Sequence, residues 1–367
     1  MQFKTIVIAH NFDTNSFAAM SHGLAHHLSD NGFRVVFISH FPYFEKPQII
    51  KKDRGEIIVC SWPTKKRPTN LIDFWWFAKL YIKYKPDFVI GHFVGSNIAI
   101  TVSKILSFGK TKTFEYYHTI SGAIIIDLVS VKWTQKLLFF RKKIFYSLFC
   151  NQIICPSEVA KNDLISFFGF KNAIVISNPV YDRTLKNNEF LFQNIIISFL
   201  GRLEPTKGVL ELINSFTKYQ HINPESTLKL QIANTGSLQN QVLNLVKIAP
   251  NIIFFGGIHY NDVDNYLKNS HYTIIPSKFD NLPTVGIESL MNSKPLLISN
   301  TTGLTALVTN NVNGFKFDCD QNGFFDIFKK VETNERKYSN FCKNARLLYE
   351  KEFTMNRYFE AIKTLLQ

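Results

Sequence analysis

The sequence predicts an α/β protein built from two doubly wound parallel sheets, and three observations carry that prediction. Short apolar runs alternate with helix-length amphipathic stretches, as when parallel strands are joined by crossover helices. The alternation breaks at a polar stretch near residue 180 and then starts again. A length of 367 residues suits two domains better than one. With 46% hydrophobic and 19% charged residues the chain can bury a large core, which excludes wholesale disorder.

Taken in order, residues 5–9 read as a buried strand, followed by a loop and a helix over 17–30 that Asn31-Gly32 closes. Residues 34–39, 87–90, 111–117 and 152–155 read as further strands, bracketed by helical stretches. Ser177-Asn178-Pro179 opens a polar linker reaching Asn187-Asn188. Strands at 194–200, 228–233, 252–255, 272–275 and 295–299, with a helix at 208–219, form the second series. The expected domains are 1–180 and 190–348, with a last helix over 349–367 packing back towards the first domain. Ligands of doubly wound sheets sit beyond the carboxyl ends of the strands, so a cleft between two facing sheets is the expected site.

Charge is uneven. The net charge is +14, and residues 1–186 hold 24 Lys plus Arg against 12 Asp plus Glu, whereas 187–367 hold 18 against 16. A basic half beside a near-neutral one points to a single domain facing an anionic partner. Two segments favour a membrane surface. One runs from Lys65-Lys66-Arg67 through Trp75 and Trp76 to Lys79, Lys83 and Lys85. The other, over 132–149, puts Trp133, Leu137, Phe140, Ile144 and Leu148 on one helical stripe, with Lys132, Lys136, Arg141, Lys142 and Lys143 beside or opposite it. The competing reading is an ordinary helix whose apolar stripe packs on a sheet. No groove-reading or base-stacking module supports nucleic acid. No apolar run reaches the ~18 to 20 residues of a membrane span, and the N-terminus lacks a signal-peptide h-region, so a cytoplasmic location is expected. Five cysteines without a C-x-x-C pair read as buried thiols.

The second half carries the chemistry. Gly201 allows a tight turn after a strand, and Arg202 and Lys207 stand at that strand's mouth, a planar fork and a point charge suited to a diphosphate. A second strand ends at Pro276-Ser277, a loop carries Asp280, and a helix opens after Pro283. The free amides near Leu282 to Val285 open that helix and favour a phosphate, and Glu288 can accept hydrogen bonds from paired hydroxyls such as those of ribose.

At these residues the chain resembles the family 4 (group 1) glycosyltransferases, which have the GT-B architecture of two Rossmann-like domains. The matching pieces are Gly201-Arg202 with Lys207-Gly208, Pro276-Ser277 with Asp280 and Glu288, Ser177-Asn178-Pro179, and Lys294-Pro295 leading to Thr302-Gly303. The resemblance implies that Arg202 and Lys207 hold the donor's diphosphate, Glu288 the ribose and Asp280 the donor sugar. Gly201, Ser277, Leu282, Pro283 and Thr284 complete the donor site, and His118 looks like the family's histidine beside the transferred sugar.

It further implies a retaining transfer from a nucleotide-linked sugar, expected to be UDP- or GDP-linked, and Arg202, Lys207 and the helix amides can stabilise the leaving diphosphate without metal or organic cofactor. The basic half suggests the acceptor, a glycan or lipid-linked glycan of lipopolysaccharide, O-antigen or capsule type. The basic half places that acceptor at the inner face of a membrane. Two departures stand out. Asp280 occupies a position where the family usually has Glu, and residues 10–17 replace the family's Gly-Gly loop. Rival readings are a nucleotide-sugar epimerase, a phosphorylase, a catalytically weak glycan-binding relative, and a nucleic-acid binder.

Overall fold

The computed structural model describes residues 3–10, 16–40, 46–64, 68–93, 96–122, 133–184 and 194–367. It divides into two compact units, one holding residues up to Ser121, those from 133 to Asn178, and Met355–Gln367, and the other holding Pro179–Thr354.

The first unit runs β1 (Lys4–Ala9), α1 (Ser16–Asp30), β2 (Phe33–Ser39), β3 (Gln48–Lys51), β4 (Glu56–Ser61), α2 (Leu71–Tyr84) and β5 (Phe88–His92). It continues with α3 (Asn97–Leu106), β6 (Lys112–Tyr116), α4 (Trp133–Phe149), β7 (Gln152–Cys155), α5 (Glu158–Phe168) and β8 (Ala173–Val175). The sheet order is β3-β4-β2-β1-β5-β6-β7-β8, parallel except for β3, which pairs antiparallel with β4 at the edge. Strand order therefore reverses between β1 and β5, where a doubly wound sheet opens a crevice.

The second unit runs β9 (Ile195–Leu200), α6 (Val209–Ile222), β10 (Leu228–Ala233), α7 (Gln239–Val246), β11 (Ile252–Phe254), α8 (Val263–Lys268) and β12 (Tyr272–Ile275). Then follow α9 (Thr284–Met291), β13 (Leu296–Ser299), β14 (Gly314–Phe317), α10 (Gln321–Thr333) and α11 (Tyr338–Glu352). Its order, β11-β10-β9-β12-β13-β14, is wholly parallel and reverses between β9 and β12. Burial on both faces explains the apolar runs of these strands, as in β9, where Ile197 and Phe199 enter one cluster and Leu200 another on the opposite face. The chain returns to the first unit through α12 (Met355–Leu365).

On one face of the first sheet, Met20, Leu24 and Leu28 of α1 and Phe359 and Ile362 of α12 pack over Ile6, Ile8 and Ile90. A buried hydroxyl pair, Tyr116 Oη to Tyr358 Oη at 2.7 Å, ties α12 to β6. The other face carries α2, α3 and α4. Here Ile100 of α3 closes on Gly91, the Thr113 hydroxyl of β6 donates to the Phe149 carbonyl at 2.6 Å, and α2 lies along α3. A capping box between Asn70 and Asp73 starts α2, and Lys85 ends it in the left-handed conformation.

This outer layer of helices exposes apolar side chains. Of the α4 residues only Tyr146 is buried, and the stripe of Trp133, Leu137, Phe140, Ile144 and Leu148 faces solvent instead of a sheet. Leu71, Ile72, Trp75 and Ile82 on α2 are likewise exposed.

Three expectations need correction. Residues 179–184 are not a free linker: Val180 N donates to Phe353 O at 3.0 Å, and Arg346 bonds both Asp182 and Thr184. The rest of the expected linker, 185–193, lies outside the described residues, as do Lys65, Lys66, Arg67, Lys132 and residues 11–15 of the loop after β1. The boundary thus falls after Asn178, not between 180 and 190. The tail is two helices, because Phe353 is drawn into the core of the second unit and ends α11 before α12 begins.

Candidate active site

In the second unit the candidate residues gather at the reversal point, beyond the carboxyl ends of β9 and β12. Gly201 and Arg202 follow β9, and a single 3₁₀ turn, Pro205–Lys207, leads to Gly208. Gly208 has φ +68°, and a Cβ there would stand 2.1 Å from the Pro276 carbonyl oxygen, so only glycine permits this approach. Lys278 N donates to Thr206 O at 2.8 Å and closes the seam between the loops after β9 and β12. Across that seam the Lys207 ammonium meets Asp280 Oδ2 at 2.5 Å, and the Ser277 hydroxyl donates to the same oxygen at 3.3 Å. Arg202 stays exposed. Leu282 and Pro283 are buried, and the first turn of α9 begins at Thr284, where first-turn amides have no intrahelical acceptor.

Glu288, on the next turn of α9, belongs to a different cluster. It is 5% exposed, and its Oε1 accepts from Arg183 Nη2 at 3.1 Å. The rest of the Arg183 fork grips Asp264, with Nε to Oδ2 at 2.9 Å and Nη2 to Oδ1 at 3.3 Å. Its Nη1 donates to Tyr260 Oη at 2.6 Å, and Asn292 Nδ2 donates to Asp264 Oδ1 at 2.9 Å. Burial pushes the Glu288 carboxyl up to about 7. Arg183 opposes this and Asp264 reinforces it. Burial also works against the Arg183 charge, but the Asp264 carboxylate outweighs it and holds the guanidinium above its usual value. Both values rise, which disfavours the charge on Glu288 and favours that on Arg183. The bidentate geometry decides between them, since Asp264 is the firm partner and the single contact to Glu288 does not offset its burial.

In the first unit His118 lies just past β6 and is half-buried, with its Nδ1 enclosed. Its Nε2 is 3.1 Å from His92 Nδ1, at the end of β5. The chain of contacts continues from His92 Nε2 to Ser21 Oγ at 3.3 Å and from Ser21 Oγ to His10 Nε2 at 2.8 Å, just past β1. Rings reinforce it, with His92 stacked on Tyr116 at 4.3 Å and on His10 at 4.7 Å, and His118 on Phe93 at 4.4 Å. Burial first, then the neighbouring His10, pushes His118 down to about 3, and burial holds His92 well below the usual imidazole value. Neutral imidazoles can each donate and accept once, so a three-histidine chain of this kind needs no net charge.

Residues 182–348 match the family described as Glycosyl transferases group 1, and residues 19–183 match Glycosyltransferase Family 4. The chain belongs to the group 1, family 4 glycosyltransferases. Among relatives, an uncharacterized glycosyltransferase of Haemophilus influenzae is 28% identical over 226 residues, covering 59% of this chain and 61% of that protein. The Escherichia coli UDP-Gal:alpha-D-GlcNAc-diphosphoundecaprenol alpha-1,3-galactosyltransferase is 28% identical over 192 residues, 49% of this chain and 46% of its own length. In both, the match spans less than two thirds of the relative. Anabaena HepE, solved in complex with UDP and glucose, superposes with a TM-score of 0.72 at 15% identity, over 99% of each chain. The fold is thus GT-B, with two Rossmann-like domains.

In this glycosyltransferase not every residue expected on the outer surface lies there. Lys142 turns inward, with its ammonium 5.8 Å from the Tyr117 ring. Burial lowers its pKa while Glu115 and Asp163 pull it back up. Trp76 packs on Trp62 at 5.4 Å, whereas Trp75, Lys79, Arg141 and Lys143 are exposed. The chain also holds two Asp-x-Asp spacings of the kind that can bind a metal, Asp262 with Asp264 and Asp318 with Asp320. Asp264 serves Arg183, Asp320 caps α10 by accepting from Gly323 N at 2.7 Å, and Asp318 accepts from Asn300.

Arg183, Asp264, Ser21 and His92 carry no signal in the motifs that point to the site. One signal was available for the histidines, since β1, β2, β5 and β6 each end in or shortly before a histidine, namely His10, His40, His92 and His118.

Two outcomes follow from the titrating groups. Because the folded Glu288 value lies above its ordinary 4.5, the folded state keeps a proton that the unfolded chain has released between 4.5 and about 7, so stability falls as pH rises through that window. Glu288→Gln removes the effect. Relative to wild type, the variant gains up to about 3 kcal/mol of unfolding free energy between about pH 4 and pH 8, read by urea denaturation. Parallel pH curves for the two proteins would contradict the assignment. His118, for its part, stays neutral across the physiological range, so its imidazole NMR signals do not move between about pH 5 and pH 8. A midpoint near the ordinary imidazole value would show the ring is not held as described.

Proposed function

We propose that this glycosyltransferase moves a sugar from a UDP- or GDP-linked donor, with retention of anomeric configuration, to a glycan or lipid-linked glycan at the inner, anionic face of a membrane. The observation that carries the donor half is the Lys207–Asp280 pair, set by the Gly208 seam at the reversal point of the second sheet. With a donor bound, Lys207 reaches the diphosphate while Asp280 orients it and meets the sugar. Arg202, exposed just past β9, supplies the fork, and the amides at Thr284 and Val285 face the phosphate at the start of α9. Glu288, near half-protonation at neutral pH, can both donate to and accept from the ribose hydroxyls.

In the transfer, the bond from the anomeric carbon to the phosphate oxygen breaks and a bond to the acceptor oxygen forms. The acceptor's proton passes to the departing phosphate. Charge grows on the diphosphate, and the preplaced cations and amides stabilise it without further rearrangement and without a metal. His118, neutral and stacked, gives the transferred sugar a hydrogen-bonding and apolar wall. HepE, with UDP and glucose, supports a nucleotide-sugar donor, and the diphosphoundecaprenol-specific relative supports a lipid-linked acceptor.

The membrane half rests on the helix layer. Helices α2, α3 and α4 hold seven Lys or Arg and a single carboxylate, Asp73, which is buried in its capping box. Among the described residues no helix is long and apolar enough to cross a membrane, so the contact would be interfacial.

Lys207→Ala and Arg202→Ala each lower turnover of labelled donor by about 10² to 10³-fold with an unchanged circular dichroism spectrum. Near-normal turnover in both would remove the donor assignment. The wild type floats with phosphatidylglycerol vesicles at low salt, and Leu137→Glu with Phe140→Glu abolishes flotation. A double variant that floats as well as wild type would show that α4 is not the contact.

A further inference from the structure

A second feature of the first unit lies at the opposite end of its sheet from His118. A cavity of about 640 Å³ opens at the amino ends of β1, β5 and β6, and Lys4, Lys85, Lys110, Lys112, Ile82 and Phe108 stand on its wall. All four lysines are exposed, and no ion pair engages them among the described residues. The Lys4 and Lys112 ammoniums sit 5.9 and 5.8 Å from the Phe88 ring, one buried aromatic serving two cations. Asp87, the lone acid of the wall, accepts from Thr5 N through its Oδ2 at 2.7 Å.

Phe108 is the odd residue. It is 94% exposed and holds φ +51°, a region that bulky side chains rarely enter. Its backbone is pinned there, with Phe108 N on Ile105 O at 3.0 Å and Gly109 N on Lys104 O at 2.9 Å. Neither packing nor backbone preference accounts for a phenylalanine at this position, and strain that persists without local benefit points to use.

The surroundings say what kind of use. Ile82 both lines the cavity and ends the exposed apolar face of α2, and Ile105 and Leu106 continue that face onto the end of α3. Four exposed lysines against one carboxylate, Asp87, therefore stand around a hollow whose rim is apolar and carries a protruding aromatic ring. That pairing fits a phosphate attached to an apolar tail, with the phosphate among the lysines and the ring in the acyl boundary.

We infer that this cavity binds the phosphate headgroup of an anionic membrane lipid, with Phe108 inserted beside it. The inference rests on the membrane half of the proposed function and adds a discrete lipid site to it. Occupancy would fix which end of the first unit meets the bilayer. It would also leave the carboxyl ends of the strands, where His118 lies, clear of the lipid.

The test is flotation of the full chain with phosphatidylcholine vesicles, with and without phosphatidylglycerol. Phe108→Gly relieves the left-handed strain while removing the ring. It keeps or raises the Tm, yet weakens partitioning onto phosphatidylglycerol vesicles by about tenfold. Lys85→Glu with Lys110→Glu weakens it by about tenfold or more, and donor turnover with a soluble acceptor is unchanged in all variants. If the wild type floats and these variants float equally, the site is wrong while the membrane reading stands. If the wild type fails to float, the membrane reading fails and the site goes with it. Displacement by inorganic phosphate, where chloride of the same ionic strength has no effect, would reassign the cavity to a free anion and overturn the lipid.

Discussion

The close contact between two loops of the second unit is the constraint on which the proposed donor chemistry depends. Lys207 precedes a glycine whose missing side chain lets the backbone lie against the Pro276 carbonyl, and Asp280 follows that carbonyl by four residues. The Lys278 amide on Thr206 O fastens the other side. A lysine side chain is long and flexible, so an ion pair at the surface would be weak. Here both partners are largely enclosed, at 19% and 14% side-chain exposure, and their backbones are joined before they meet. The loops have already lost their freedom, so binding a diphosphate orders little more.

The two units handle buried polarity in different ways. The second keeps charges and pairs them, with Arg183 bridging Asp264, Glu288 and Tyr260. Around His118 the first favours neutral groups: burial holds His92 and His118 below the usual imidazole range and Glu115 well above the usual carboxylate range. A neutral hydrogen-bonded chain tolerates a low-dielectric pocket at little cost, whereas an isolated imidazolium there would be expensive. A diphosphate calls for fixed positive charge; a sugar hydroxyl calls for donors and acceptors without it.

The sheets were legible because parallel strands buried on both faces are continuous apolar runs, as in Ile195–Leu200. Less so were β3, an exposed antiparallel edge, and β8, three half-buried residues whose pattern is too short to read. Lys207 and Asp280 were legible because each sits in a local strand–loop–helix context. Arg183 was not. It lies in a polar stretch that reads as linker, and its partners Asp264 and Glu288 are 81 and 105 residues away, a pairing that only the folded chain brings about. Lys142 shows the same limit in reverse. Helical periodicity puts it beside an exposed stripe, but the buried Glu115 and Asp163, on β6 and α5, draw it inward.

The same long-range view explains the charge asymmetry. A stable water-facing surface normally intersperses both signs and hides its large apolar groups. The layer of α2, α3 and α4 does neither: its one carboxylate is satisfied internally, with Asp73 accepting from Thr64 Oγ1 at 2.7 Å and bonding Asn70 in the capping box. Like charges repel across such a surface, and exposed Trp75, Trp133 and Phe140 add hydration cost. Neither cost is relieved by packing within the unit, because the apolar stripe of α4 and the outer apolar residues of α2 stay exposed. Both are relieved at once where an anionic boundary overlies an apolar interior. Among the common macromolecular partners, nucleic acid supplies the charge without the apolar phase and a protein core supplies the apolar phase without the charge. A membrane surface supplies both, which is why the side chains of this layer favour the proposed membrane contact over either alternative.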